Sequence, residues 1–125
     1  MAGLLVIRNS EIIYGRYGPG NSETTLWNSF SVTKSIVSML VGAAIRDDYI
    51  GSVDEPVTDC LPPLKGSSYD QAAIRNILQM SSGIEWSEDY ADPGSDINSA
   101  PFDTLGLHEY LRQSPVDAPP GVKFN

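Results

Sequence analysis

Apolar and polar positions at the start of the chain fall into two short runs. Leu4-Leu5-Val6-Ile7 and Ile12-Ile13-Tyr14, the second continuing to Tyr17, flank the polar triplet Asn9-Ser10-Glu11. β-branched and aromatic side chains suit a pleated surface, and Asn tolerates the left-handed backbone of a tight turn, so residues 4–17 read as a β-hairpin. Residues 18–25 carry Gly, Pro, Asn and Ser without periodicity, which is loop chemistry.

The period changes at Ser31. From there to Arg46 the residues fill about four helical turns. Val32, Ile36, Met39, Leu40 and Ala43 share one face, and Val37, Val41, Ala44 and Ile45 carry it round most of the circumference. A helix so apolar is expected to be buried on nearly all sides. Its polar remainder is a stripe of Ser31, Lys34, Ser35 and Ser38.

Residues 48–51 and 54–63 are turn-rich, with Pro56, Pro62 and Pro63 forbidding long regular structure. Residues 69–80 predict a second amphipathic helix with Ala72, Ile74, Ile77, Leu78 and Met80 inward, ended by Ser81-Ser82-Gly83. Residues 85–102 have no period and read as a surface loop. Residues 104–113 predict a short third helix, and 114–121 a Pro-rich turn. No internal repeat is present. A lone hairpin wants more strands or a helix to cover it, and nothing after Phe102 supplies strands, so the expectation is the first part of a larger fold.

Composition narrows the function classes. With 41% hydrophobic and 19% charged residues in 125, the chain is a globular domain rather than a disordered segment. Eight basic against sixteen acidic residues leave a formal charge of −8, which opposes a phosphate backbone or an anionic bilayer, so neither nucleic acid nor membrane is an expected partner. One cysteine, Cys60, cannot form an internal disulfide, and with His108 as the single histidine no metal site and no cofactor is expected. Leu4–Ile7 is too short for a signal peptide or a span, so a cytoplasmic or already processed chain is expected.

The candidate chemistry is Ser31-Val32-Thr33-Lys34, a Ser-x-x-Lys at the start of the apolar helix. Positions i and i+3 share a helix face, so Lys34 can reach the Ser31 hydroxyl. A serine needs a base to become a nucleophile, and an amine whose ammonium form is penalised by burial can act as one. Backbone N–H groups at a helix start can receive a developing oxyanion. The pattern alone is weak, because 15 Ser and 3 Lys in this chain give about 0.4 chance matches. The competing reading makes Ser31 an N-cap and Lys34 a surface residue.

Three segments add context: Leu5 to Tyr14, Ser29-Phe30-Ser31-Val32-Thr33-Lys34-Ser35, and Ile77-Leu78-Gln79-Met80-Ser81-Ser82-Gly83-Ile84. In order and spacing they resemble the serine hydrolases related to class C β-lactamases and penicillin-binding proteins. Trp86 to Asp96 is similar to the branch typified by 6-aminohexanoate-dimer hydrolases. The resemblance implies a β-lactamase-like fold of the α/β (α+β) class, of which residues 1–125 would be a partial domain, incomplete at the C-terminus. It would comprise the hairpin of an antiparallel sheet at 4–17 and most of the helical subdomain at 31–125.

It also implies roles. Ser31 would be the acylated nucleophile, its N–H one half of the oxyanion hole, Lys34 the proton acceptor, and Tyr90 a substrate-binding residue at the mouth of the acyl pocket. The family's Tyr-x-Asn relay and Lys/His-Thr-Gly strand have no match in these residues, and Pro120 to Phe124 resembles the turn that precedes the relay. The expected function is acyl-enzyme hydrolysis of an amide, ester or β-lactam, the 125 residues alone being inactive. The expected partners are a small acyl substrate and the remaining C-terminal part of the fold, or a second copy in its place. Rival readings are a non-catalytic acyl-binding or sensor module of the same fold and a helical interaction domain. His108 is read as a surface residue, Cys60 as an apolar filler, and Trp27 and Trp86 as loop anchors.

Overall fold

A computed structural model describes residues 1–124. The chain divides into two compact units, residues 1–35 and the remainder from Ile36 on. The first holds an antiparallel hairpin of β1 (Gly3–Arg8) and β2 (Glu11–Tyr17). Asn9 and Ser10 form its two-residue turn, both with positive φ (49° and 64°), the primed geometry whose twist matches paired strands. Leu5 faces Gly15 and Val6 faces Tyr14, but Ile7 faces Ile12, so Ile13 is the extra residue of a bulge. Gly18 N–H donates to the Ala2 carbonyl and continues the ladder by one step.

Helix α1 (Val32–Arg46) matches the predicted span to within one residue. Its expected burial is not observed. The residues from Val32 to Leu40 are exposed, and only Val41, Ala43, Ala44 and Ile45 are half-buried. The reason is local: in the second unit a small core of Val57, Ala72 and Ile74 reaches the helix only at Val41.

The predicted helix over 69–80 is broken. A 3-10 turn covers Ser68–Gln71, Ala72 and Ala73 are extended, and a short helix occupies Ile74–Leu78. Helical propensity loses here to backbone pairing. Val57 N–H donates to the Ala72 carbonyl, Ile74 N–H to Glu55 and Arg75 N–H to Val53, which holds the middle of the segment as a strand-like edge. The short helix α2 (Val57–Cys60) lies within the captured region, and Ile74–Leu78 becomes α3. Asn76 accepts from Ala73 N–H and caps α3. Of the side chains expected inward, Ala72 and Ile74 are buried, Ile77 and Met80 half-buried and Leu78 exposed. Cys60, expected as a filler, is exposed at the end of α2.

The loop over 85–102 contains one helical turn, α4 (Asp96–Ser99), and α5 (Thr104–Arg112) is the predicted third helix. The Asp103 carboxylate caps α5 by accepting from Gly106 N–H, and His108 is half-buried on it. Arg112 ends α5 by donating to the carbonyls of Pro63 and Lys65, each at 2.7 Å.

Candidate active site

Ser31 stands on the turn that leads into α1. Val32, Thr33 and Lys34 donate their N–H groups to the carbonyls of Ser29, Phe30 and Ser31, and Phe30 N–H is held by the Asn28 carboxamide oxygen at 3.2 Å. Phe30 itself adopts φ 43°. A bulky side chain is unusual in the left-handed region, so the residue preceding Ser31 carries local backbone strain.

Lys34 Nζ donates to Ser31 Oγ at 3.4 Å. The i, i+3 geometry brings the two groups together, as the spacing requires. The expected burial of Lys34 is not found, because the described residues cover α1 only from Val41 onward. Beside them the Ser29 and Thr33 hydroxyls lie 2.6 Å apart. Trp27, expected to anchor its loop on the core, is 72% exposed and lines an open cleft of about 360 Å³ with Ala2, Gly3 and Tyr17. Ser31 and Lys34 do not line that cleft.

In the second unit Tyr90 is 72% exposed at the tip of the 87–98 loop, while Trp86 near its base is half-buried. The base of the loop is fixed by Asp96, which accepts from Ser87 N–H through Oδ2 and from the Tyr110 hydroxyl through Oδ1, both at 2.7 Å. Burial raises the Tyr69 phenol above its usual range, with the Asp96 charge adding to the effect. Among the described residues no three His, Cys, Asp or Glu side chains could hold a metal ion, and no helix is long and apolar enough to cross a membrane.

Of the candidates named from the sequence, Ser31 and Lys34 are brought within 3.4 Å of each other, and Tyr90 lies in the second unit. The sequence missed the Phe30 backbone and the polar scaffold beneath Tyr90, whose one available signal was the density of Asp, Ser and Asn over 87–98.

A hairpin followed by a helix that opens on Ser-x-x-Lys defines a β-lactamase-like arrangement. The family comparison agrees over residues 2–125, and the chain belongs to the beta-lactamase family. A 6-aminohexanoate-dimer hydrolase of Paenarthrobacter ureafaciens is 36% identical over 95 residues, which are 76% of this chain and 24% of that protein. Among solved structures, a candidate 6-aminohexanoate-dimer hydrolase from Bacillus anthracis superposes with a TM-score of 0.72 at 18% identity, covering 98% of this chain and 35% of that one. A class C beta-lactamase in complex with cefoxitin gives 0.64 at 23% identity, over 96% and 32%. Both likenesses establish the fold. The chain spans between a quarter and about a third of the length of these relatives.

Proposed function

We propose that this chain carries the nucleophile of a serine hydrolase that works through an acyl-enzyme. The observation that carries the reading is the Lys34 Nζ to Ser31 Oγ contact at the head of α1. Lys34 takes up the Ser31 proton as Oγ attacks the carbonyl carbon of the substrate. The carbonyl oxygen becomes an oxyanion, received in part by the Ser31 N–H. Collapse of the tetrahedral centre expels the leaving group, which takes up a proton, and leaves an acyl ester on Ser31 for water to hydrolyse.

The substrate class is an amide, an ester or a β-lactam. The name of the 36%-identical relative favours a small linear amide. None of the six tyrosines has Asn two places later and no Lys/His-Thr-Gly is present, so we propose that residues 1–125 alone do not turn over. The natural partner of the exposed hairpin is the rest of the fold, whose place a second copy takes when these residues are isolated.

The test is mass spectrometry after treatment with a fluorophosphonate or a penicillin. Ser31 should carry the label, Ser31→Ala should abolish it, and Lys34→Met should slow it about 10²-fold or more. Unchanged labelling in Ser31→Ala would sink the reading. A stable acyl adduct without turnover in the full protein would favour the sensor module.

A further inference from the structure

Around the proposed nucleophile the N–H groups of Phe30, Val32, Thr33 and Lys34 each have an acceptor, the Asn28 carboxamide for the first and the carbonyls of Ser29, Phe30 and Ser31 for the others. Among the described residues the Ser31 N–H has none. The gap follows the left-handed Phe30, whose φ of 43° turns the chain between a loop and the first turn of α1. An aromatic residue keeps that conformation only where its surroundings impose it.

Asn28 fixes one end of the reversal. The other end is fixed by Thr33, whose hydroxyl lies 2.6 Å from that of Ser29 and so joins the first turn of α1 to the residue before Phe30. Thr33 stands about 100° round the helix from Lys34, off the face where Lys34 meets Ser31, so it acts through the backbone of the turn rather than on the reacting groups.

We infer that Thr33 is a positioning residue: through Ser29 it holds Phe30 left-handed and keeps the Ser31 N–H ready for the developing oxyanion, and so it sets the rate of acylation rather than the affinity for substrate. The oxyanion exists only as the carbonyl is attacked, so a donor that drifts from its place weakens the transition state and leaves ground-state binding alone. The inference rests on the proposed hydrolase reading for its chemistry. Its structural content, that Thr33 holds the Phe30 turn, stands on residues 28–34 alone.

The experiment compares wild type, Thr33→Val, Thr33→Ser, Ser29→Ala and the Ser29→Ala/Thr33→Val double variant in the full protein. Thr33→Val keeps the shape and removes the hydroxyl, and Thr33→Ser restores it. Saturation of Ser31 labelling by an aryl fluorophosphonate, in which Oγ attacks phosphorus, fluoride leaves and the phosphoryl oxygen gathers charge, separates binding from the limiting rate. Thr33→Val and Ser29→Ala should each lower the limiting rate about tenfold at an unchanged half-saturating concentration, short of the loss of about 10²–10³ that removing an oxyanion donor causes. Thr33→Ser should recover most of that loss, and the double variant should be no slower than either single one. In a crystal structure of Thr33→Val, Phe30 should relax to negative φ.

Weaker binding at an unchanged limiting rate, additive single effects, or no recovery in Thr33→Ser overturns the inference. If Ser31 takes no label in wild type, the hydrolase reading falls. The crystal structure then decides alone: a Phe30 still left-handed in Thr33→Val overturns the holding role as well.

Discussion

The Ser29 and Thr33 hydroxyls lie 2.6 Å apart and close the turn that contains Phe30 and Ser31. The turn is held from both ends, by this contact and by the Asn28 bond to Phe30 N–H, and its middle residue is strained. Strain persists only where surroundings over-determine the conformation, and it stands here next to the proposed nucleophile.

Phe30→Gly therefore separates stability from reactivity. Phe30 is 77% exposed, so little packing is lost, while glycine removes a left-handed penalty of about 1–2 kcal/mol and gives some of it back as freedom of the unfolded chain. The variant should melt higher and label Ser31 more slowly, because the turn is less fixed. Thermal melting alongside labelling kinetics checks both, and a lower melting temperature contradicts the strain argument.

Ser10→Gly tests the same physics away from the site. Ser10 has φ 64° in a two-residue hairpin turn after Asn9, and Asn-Gly is the sequence that turn prefers. A gain of about 0.5–1 kcal/mol is expected, with Ser31 labelling unchanged. Denaturant titration measures it.

Asp54 ties its loop to α3 through paired contacts with Arg75, at 2.8 Å to Nε and 3.1 Å to Nη2. The hydrogen bonds from Arg75 hold the Asp54 carboxyl below its usual range. A lowered carboxyl contributes stability above its unfolded pKa, near about 4, and loses it as pH falls through the folded value. Asp54→Asn should thus melt below wild type near neutrality, and the gap should close on acidification well below about pH 4. A gap independent of pH would refute the assignment.

Residues 1–125 in isolation should self-associate. Ile7 and Ile12 are 61% and 65% exposed, and among the described residues each hairpin strand pairs with the other alone. Sizing chromatography and thermal melting should find oligomers or a broad transition, with negligible hydrolysis of p-nitrophenyl acetate. A monomer with a cooperative melt and serine-dependent turnover would overturn this expectation.

The hairpin, the limits of α1 and the third helix were legible because local preference and tertiary outcome agree there. At 69–80 they conflict: the apolar spacing is helical, yet the Ala72 carbonyl and the Ile74 and Arg75 N–H groups are claimed by residues 53–57, and no local pattern announces that pairing. The apolar circumference of α1 signals a covered helix, but cover depends on neighbours, and among the described residues it begins at Val41. Within the site, the Ser31 to Lys34 spacing follows from helix geometry alone. The Phe30 backbone does not, since an aromatic residue predicts against a left-handed conformation.

The capture of Ala72 by Val57 bears on the order in which the molecule assembles. The two residues are separated by a loop of about fifteen, so bringing them together sacrifices little chain freedom compared with any contact across the whole length. The same corner contains Val57, Ala72 and Ile74, a cluster of buried apolar side chains. Short closure and the buried cluster coincide there, so residues 53–75 should be among the last of the second unit's backbone to exchange protons with solvent.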